Sequence, residues 1–179
     1  MVVPFIAIEG PIGAGKTTLS HAVAETQQFQ LLKEIVEENP FLKKFYDDIE
    51  AWSFQTEMFF LCNRYKQLSD IKKELQEQNQ PVVADYHIFK NLIFAKRTLE
   101  QSEYQKYVEI FQVLTRDMMM PNIVVYLHAS QETLMKRIAL RGREFEQNMD
   151  PDYLQQLAAD YEAYIDAFEK ENPTIPVLR

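Results

Sequence analysis

The residues Gly10-Pro11-Ile12-Gly13-Ala14-Gly15-Lys16-Thr17 match G-x-x-x-x-G-K-S/T at every fixed position. Glycines at these places let the backbone curl so that successive N–H groups point inward and cradle an anion. A helix opening with Lys16, Thr17 and Thr18 adds the positive end of its dipole. In such a loop the lysine reaches the β- and γ-phosphates of a nucleotide and the Thr17 hydroxyl ligates Mg²⁺. The loop alone implies phosphate binding and no particular reaction. Transfer of a phosphoryl group to a hydroxyl is helped by a carboxylate that takes the proton. Glu34, Glu37, Glu38 and Asp85 are the candidate acids, and spacing does not choose among them. For Glu37 and Glu38 a solvated charge at a loop or helix start is the simpler reading. A second positive cluster follows at Lys136, Arg137, Arg141 and Arg143. Arg137 and Arg141 are four apart and share a helix face, and Arg143 lies across Gly142. Fixed guanidinium groups stabilise the spread charge of a transferring phosphoryl, and a hinged arginine segment fits a lid that excludes water. A plain basic helix end, favoured by the dipole, is the alternative.

These groups need a scaffold, and the pattern supplies one. Val2 to Ile8 is an apolar run of strand type, followed by the glycine loop and a helix through Glu25, the context the motif requires. Phe29 to Val36 reads as a second strand, and Pro40 opens a helix to Asp48. Trp52 to Gln78 is a long helix, with Phe54, Met58, Leu61, Tyr65, Leu68, Ile71 and Leu75 recurring in steps of three and four. Pro81 to Asp85 is a third strand, Tyr86 to Leu99 a helix, and Ser102-Glu103 caps another that ends before Pro121. Asn122 to Leu127 is a fourth strand. Ser130 caps a helix to Leu140, Arg141 to Glu146 is a loop, and Asp150-Pro151 starts a helix to Glu171. Thr174 to Leu178 makes a fifth strand. Strands alternating with helices predict an α/β fold: a five-stranded parallel sheet flanked by helices in three layers. Ligands in such sheets sit beyond the carboxyl ends of the strands, which here carry the glycine loop, Glu34 to Glu38 and Asp85. Tyr46, Trp52, Phe54, Phe59, Phe60 and Phe89 lie between the second and third strands. Most belong to the core, but a flat apolar slot holding Gln55 suits a nucleobase, because an amide both donates and accepts.

Composition narrows the partners. The 179 residues suit one domain, expected to span 1–179 with a final helix missing after the fifth strand. Nineteen basic against 27 acidic side chains give −8, which argues against a nucleic-acid polymer. The lone Cys62 excludes an intrachain disulfide and, sitting in a helical apolar pattern, is expected in the core. His21, His87 and His128 show no metal spacing and read as structural or surface residues. No basic region precedes an apolar leader and no apolar run nears the length of a membrane span, so a cytoplasmic location without membrane association is expected.

Taken together, these residues resemble the deoxyribonucleoside kinase family over nearly the whole chain. Ile8 to Leu19 is similar to its P-loop, Trp52-Ser53-Phe54-Gln55 to its base-binding helix, and Leu140-Arg141-Gly142-Arg143 to its lid. Glu34 to Leu42 and Ala84 to Lys90 look closest to bacterial deoxyguanosine kinases of Gram-positive type. The resemblance implies an ATP- and Mg²⁺-dependent kinase acting on the 5′-hydroxyl of a purine deoxyribonucleoside, deoxyguanosine first. Deoxyadenosine or deoxycytidine kinase and nucleoside monophosphate kinase are the alternatives, and a P-loop module that only binds nucleotide is a third. The resemblance also implies roles. Glu34 matches the general base. Lys16, Arg137, Arg141 and Arg143 match groups on the phosphates. Tyr46 and Glu146 match residues holding the sugar 3′-hydroxyl, Gln55 the amide that pairs with the base, and Arg64 falls near the base-pocket arginines. Asp85 matches the acid of an acid-Arg-Ser motif and, with Thr17, is placed in the magnesium shell or in an orienting hydrogen bond. Three positions depart from the family pattern: Tyr86 stands where relatives have the arginine that partners the base, Ile35 where a proline often follows the catalytic glutamate, and Asn91 where animal relatives have a base-pocket aspartate. Another cation must then partner Glu34. A homodimer, or a heterodimer with a related kinase, is implied through a helix pair, with exposed apolar positions on the long helix.

Overall fold

The computed structural model describes residues 3–179, apart from the side chain of Gln76. Five strands form one sheet: β1 (Phe5–Glu9), β2 (Gln30–Leu32), β3 (Val82–Ala84), β4 (Ile123–Tyr126) and β5 (Val177–Leu178). Their order is β2-β3-β1-β4-β5 and every pairing is parallel. The glycine loop leaves the carboxyl end of the central strand, where the sheet's crossovers change direction and open a crevice.

The helices are α1 (Lys16–Gln27), α2 (Leu42–Asp47), α3 (Ile49–Gln78), α4 (Lys90–Thr98), α5 (Gln101–Thr115), α6 (Gln131–Arg141) and α7 (Pro151–Glu171), with a 3-10 turn at Glu144–Glu146. Register puts Phe5, Ala7, Val82, Ala84 and Val124 on one face of the sheet. The apolar stripes of α3, α4 and α7 cover that face, among them Leu61, Leu68, Ile93, Leu157 and Ile165. Helix α1 packs on β1, β2 and β3 without entering either core cluster, so the sheet lies between helical layers. All seven apolar residues of the predicted α3 stripe, Phe54 through Leu75, pack in one cluster. Asp48, rather than a residue at Trp52, caps α3 by accepting from Ala51 N at 3.1 Å. Ser130 caps α6 and Asp150 caps α7, as their types predict.

Several boundaries move. The expected second strand, Phe29 to Val36, shortens to three residues because the backbone N–H of Glu34 bonds to the Asp85 carboxylate at 2.7 Å instead of to the sheet. Helix α4 begins at Lys90, not Tyr86, since His87 N–H is committed to the Glu9 carboxylate at 2.5 Å. Helix α5 starts at Gln101, one residue before the expected Ser102 cap. The first strand runs Phe5–Glu9; Met1 and Val2 lie outside the described residues. Cys62 is exposed on α3 rather than in the core, because one helical step turns it away from the fully buried Leu61. His87 is buried, and His21 and His128 are exposed. Among the described residues the exposed large apolar side chains include Ile110 and Val113 of α5 and none of α3, so the long helix does not carry the expected apolar patch. No helix is long and apolar enough to cross a membrane.

Two glycines with positive φ separate strain from crowding. Gly10, at φ 150, packs so tightly that an added Cβ would collide with the Leu127 carbonyl oxygen at the end of β4. Gly142, at φ 66, ends α6 with open space around its Cβ position. Gly10→Ala should therefore cost more than about 3 kcal/mol, through strain plus displaced backbone, and Gly142→Ala only about 1 kcal/mol. Urea unfolding of the two variants measures the difference; equal losses would remove the crowding at Gly10 as a cause.

Candidate functional site

The loop from Gly10 to Thr17 forms one wall of a cavity of about 910 Å³ at the carboxyl end of the sheet. Gly13 and Gly15 also have positive φ, at 84 and 100. Gly15 N-caps α1 in the left-handed conformation. Lys16 Nζ donates to the loop's own carbonyls, Gly10 O at 2.7 Å and Pro11 O at 3.0 Å. Burial, then repulsion from Lys90, lowers the Lys16 ammonium to about 8. An anion seated in the loop would oppose both effects.

Glu34 lines the same cavity as this loop, on the segment that leaves β2. Its carboxylate accepts from Arg64 Nε at 2.8 Å and from Lys90 Nζ at 3.0 Å on both oxygens. The side chain is only 11% exposed. Burial alone would raise its pKa, but the charges of Lys90, Arg64 and Lys16 override that and hold the carboxyl at about 2. Arg64 also donates to Asn91 Oδ1 at 2.8 Å, and Asn91 Nδ2 donates to the Tyr107 hydroxyl at 2.7 Å, so the guanidinium is fixed from behind. Lys90 opens α4, where the dipole disfavours a cation; Glu34 supplies the compensation. Asp85 joins the two halves: one oxygen accepts Glu34 N, and the other accepts the Thr17 hydroxyl at 3.0 Å. Burial, then repulsion from Glu34, raises its pKa. Thr17 and Asp85 thus place two hard oxygen donors side by side beneath the anion cradle, a set that fits Mg²⁺.

The arginine segment closes one side. Arg137 Nη1 donates to Ala14 O at 3.0 Å, which brings α6 against the phosphate loop. Arg141 grips Glu146 through two nitrogens, with Nε to Oε2 at 3.0 Å, and Arg143 pairs with Glu37 at 3.3 Å. Glu146 is buried by the 3-10 turn, and Tyr46 stacks on Phe145 beside it with ring centroids 6.2 Å apart. Tyr46, Glu146, Arg141 and Arg143 all line the cavity.

One sequence expectation needs correction. Gln55 is exposed on α3 and outside the cavity lining. The helix turns 100° per residue, so the face looking into the cavity carries Thr56, Glu57, Phe60 and Arg64 instead. Arg64 lines the cavity, and it and Lys90 are the cations that partner Glu34, a contact expected of an arginine at the position of Tyr86. Sequence reasoning gave Glu57 and Lys90 no role. Counting back seven residues from Arg64, two turns of helix, finds Glu57 on the same face. Glu57 is 1% exposed, and its Oε2 has no hydrogen-bond partner.

A family model for deoxynucleoside kinases matches residues 6–179. This chain belongs to the deoxynucleoside kinase family. It is 53% identical over 175 residues to a deoxyguanosine kinase of Bacillus subtilis strain 168, covering 98% of this chain and 84% of the relative. A deoxyadenosine/deoxycytidine kinase of the same organism is 32% identical, covering 97% and 80%. Among solved structures, a deoxyadenosine kinase from M. mycoides with bound dATP superposes with a TM-score of 0.83 at 28% identity, over 98% of this chain and 90% of that one. The predicted fold, a five-stranded parallel sheet flanked by helices, is the one these kinases share.

In this deoxynucleoside kinase, burial raises the Glu57 carboxyl to about 7, with Arg64 and Lys90 pulling the other way. Its ordinary value is 4.5. Folding therefore favours the neutral acid: the stability this confers is complete below about pH 4.5 and lost as pH rises through about 7. Glu57→Gln has no such loss. Its Tm should gain on the parent's by about 2–4 °C or more between roughly pH 5 and pH 8. A Tm difference that stays constant across that range would contradict this.

Proposed function

We propose that this kinase transfers the γ-phosphoryl group of ATP to the 5′-hydroxyl of a purine deoxyribonucleoside, deoxyguanosine first, with Mg²⁺. The observation that carries the reading is an ionised, cation-held Glu34 lining the same cavity as the phosphate loop. The loop amides and Lys16 would hold the triphosphate, and Thr17 and Asp85 would hold Mg²⁺, which supplies charge neutralisation between the phosphates. Arg137, Arg141 and Arg143 would exchange their present oxygen partners for phosphate oxygens as the lid closes. Tyr46 and Glu146 would orient the sugar through its 3′-hydroxyl.

Glu34 accepts the hydroxyl hydrogen in the bound substrate. A carboxylate with a pKa of about 2 is a weak base toward a free alcohol. It first fixes the direction of the oxygen lone pair; the proton becomes acidic, and moves to Glu34, as the new P–O bond forms. The deoxyguanosine preference draws on the 53% identical relative. A monophosphate acceptor is disfavoured because Arg64, the arginine on the acceptor side of α3, is already engaged by Glu34 and Asn91. We also propose a dimer, to which the exposed Ile110 and Val113 of α5 are suited, and a cytoplasmic location.

ADP release from ATP and Mg²⁺ should depend on added deoxynucleoside and be greatest with deoxyguanosine in a panel of four. Release independent of every nucleoside would overturn the assignment. Glu34→Gln should leave nucleotide binding nearly unchanged and lower kcat by ~10²-fold or more; a variant with full turnover would remove the base role. Lys16→Ala should abolish transfer, and a normal rate would place the donor elsewhere.

A further inference from the structure

The lid segment runs from Gly142, the left-handed residue that ends α6, to Met149, which is buried in the core. Its side chains reach α2 and the chain just before it. Glu144 pairs with Lys43 of α2 at 2.7 Å, but both side chains are mostly exposed, and such a pair holds little. Arg143 meets Glu37 at 3.3 Å, and the Glu37 side chain is 69% exposed. Phe145 is the better-sheltered link. Its ring stacks on Tyr46 of α2 at an interplanar angle of 12°, and both residues are half-buried. Tyr46 in turn meets Phe45 edge-on, with ring centroids 5.2 Å apart, and Phe45 is buried in the core. Phe145 also lies 5.8 Å from the guanidinium carbon of Arg143, within reach of a cation–π contact. An unbroken line of contacts thus runs from the core through Tyr46 and Phe145 to a lid arginine. All four of these side chains line the cavity.

We propose that Phe145 is a positioning residue that couples the two ends of the site: a sugar held at Tyr46 fixes, through the Tyr46–Phe145 stack, the lid backbone that presents Arg143 to the phosphates. The inference rests on the kinase reading above, in which Tyr46 takes the sugar and Arg143 a phosphate oxygen. Coupling needs a ligand that favours one arrangement of the lid over another. Both rings are half-buried at the cavity wall. A nucleoside seated there would cover their remaining surface together only while they are stacked, so its binding favours the stacked lid. The nucleotide gains from the same arrangement, because Arg143 is already ordered when it takes up a phosphate oxygen. Reciprocity then requires each ligand to tighten the other by the same factor. The flat face of Phe145 carries the effect. Stacked rings have a preferred geometry, whereas an aliphatic side chain supplies bulk without one.

The experiment measures the Kd of a non-hydrolysable ATP analogue with Mg²⁺ by calorimetry. It is run with and without a saturating amount of the deoxynucleoside that the parent phosphorylates best. In the parent that nucleoside should tighten the analogue at least about fivefold. In Phe145→Leu this ratio should fall at least about threefold, the worth of an aromatic pair, and kcat should fall with it. The Kd for the analogue alone should stay within about twofold of the parent's. Phe145→Tyr keeps the flat face and should keep the ratio. A Phe145→Leu variant with the parent's ratio overturns the proposal, whatever its Tm, and so does loss of the ratio in Phe145→Tyr. A parent in which the nucleoside leaves the Kd unchanged overturns it too, needs no folded variant, and leaves the kinase assignment standing. A parent that phosphorylates no deoxynucleoside sinks the kinase assignment itself, and this inference with it.

Discussion

One carboxylate held by two cations ties three separate segments of this molecule together beside one cavity. Glu34 comes from the segment after β2, Arg64 from the middle of α3, and Lys90 from the first turn of α4. None of the three tolerates burial alone: an isolated carboxylate would take up a proton, and an isolated ammonium would lose one. Together they remain charged and fix three separate segments against each other. Removing either cation would leave part of that charge uncompensated in a place water scarcely reaches. Asp85 extends the arrangement to the phosphate loop by holding the backbone of Glu34 with one oxygen and the side chain of Thr17 with the other.

Two glutamates on the walls of one cavity illustrate how surroundings, not residue type, set behaviour. Glu34 has two cations in hydrogen-bond contact and is pushed down to about 2. Glu57 is more deeply buried, feels the same cations only from a distance, and is pushed up to about 7. The first is suited to a permanent charge beside a reacting hydroxyl. The second costs stability wherever it is ionised, since no donor meets its Oε2. The lid behaves similarly. Arg141 and Arg143 rest on Glu146 and Glu37, so their charge stays compensated until a phosphate competes for it. A chain with a formal charge of −8 thus still places seven of its 19 cationic side chains along one cavity.

How much of this was legible in the chain depends on how local the cause is. The loop from Gly10 to Thr17 works through its own backbone, so its pattern alone announces its chemistry. The caps at Ser130 and Asp150 likewise act within a turn of themselves. The α3 stripe could be read because seven apolar residues set the phase of a long helix. The same phase, applied to polar positions, would have turned Gln55 and Cys62 outward and Glu57 inward. The expectation at Gln55 rests on its aromatic neighbours and on a resemblance, not on that periodicity. The true length of β2 was hidden because Ile35 and Val36 prolong an apolar run after the backbone has left the sheet for Asp85.

By itself, then, the order of residues determined the alternation of strands and helices, the phosphate loop and the acids available near it, since each follows from neighbours a few positions apart. Only the tertiary structure decided which cations partner Glu34, and which α3 side chains line the cavity. Arg64 lies 30 positions from Glu34 and Lys90 lies 56. Pairings over such distances are set by how helices stack on a sheet, and no local pattern in the chain encodes them.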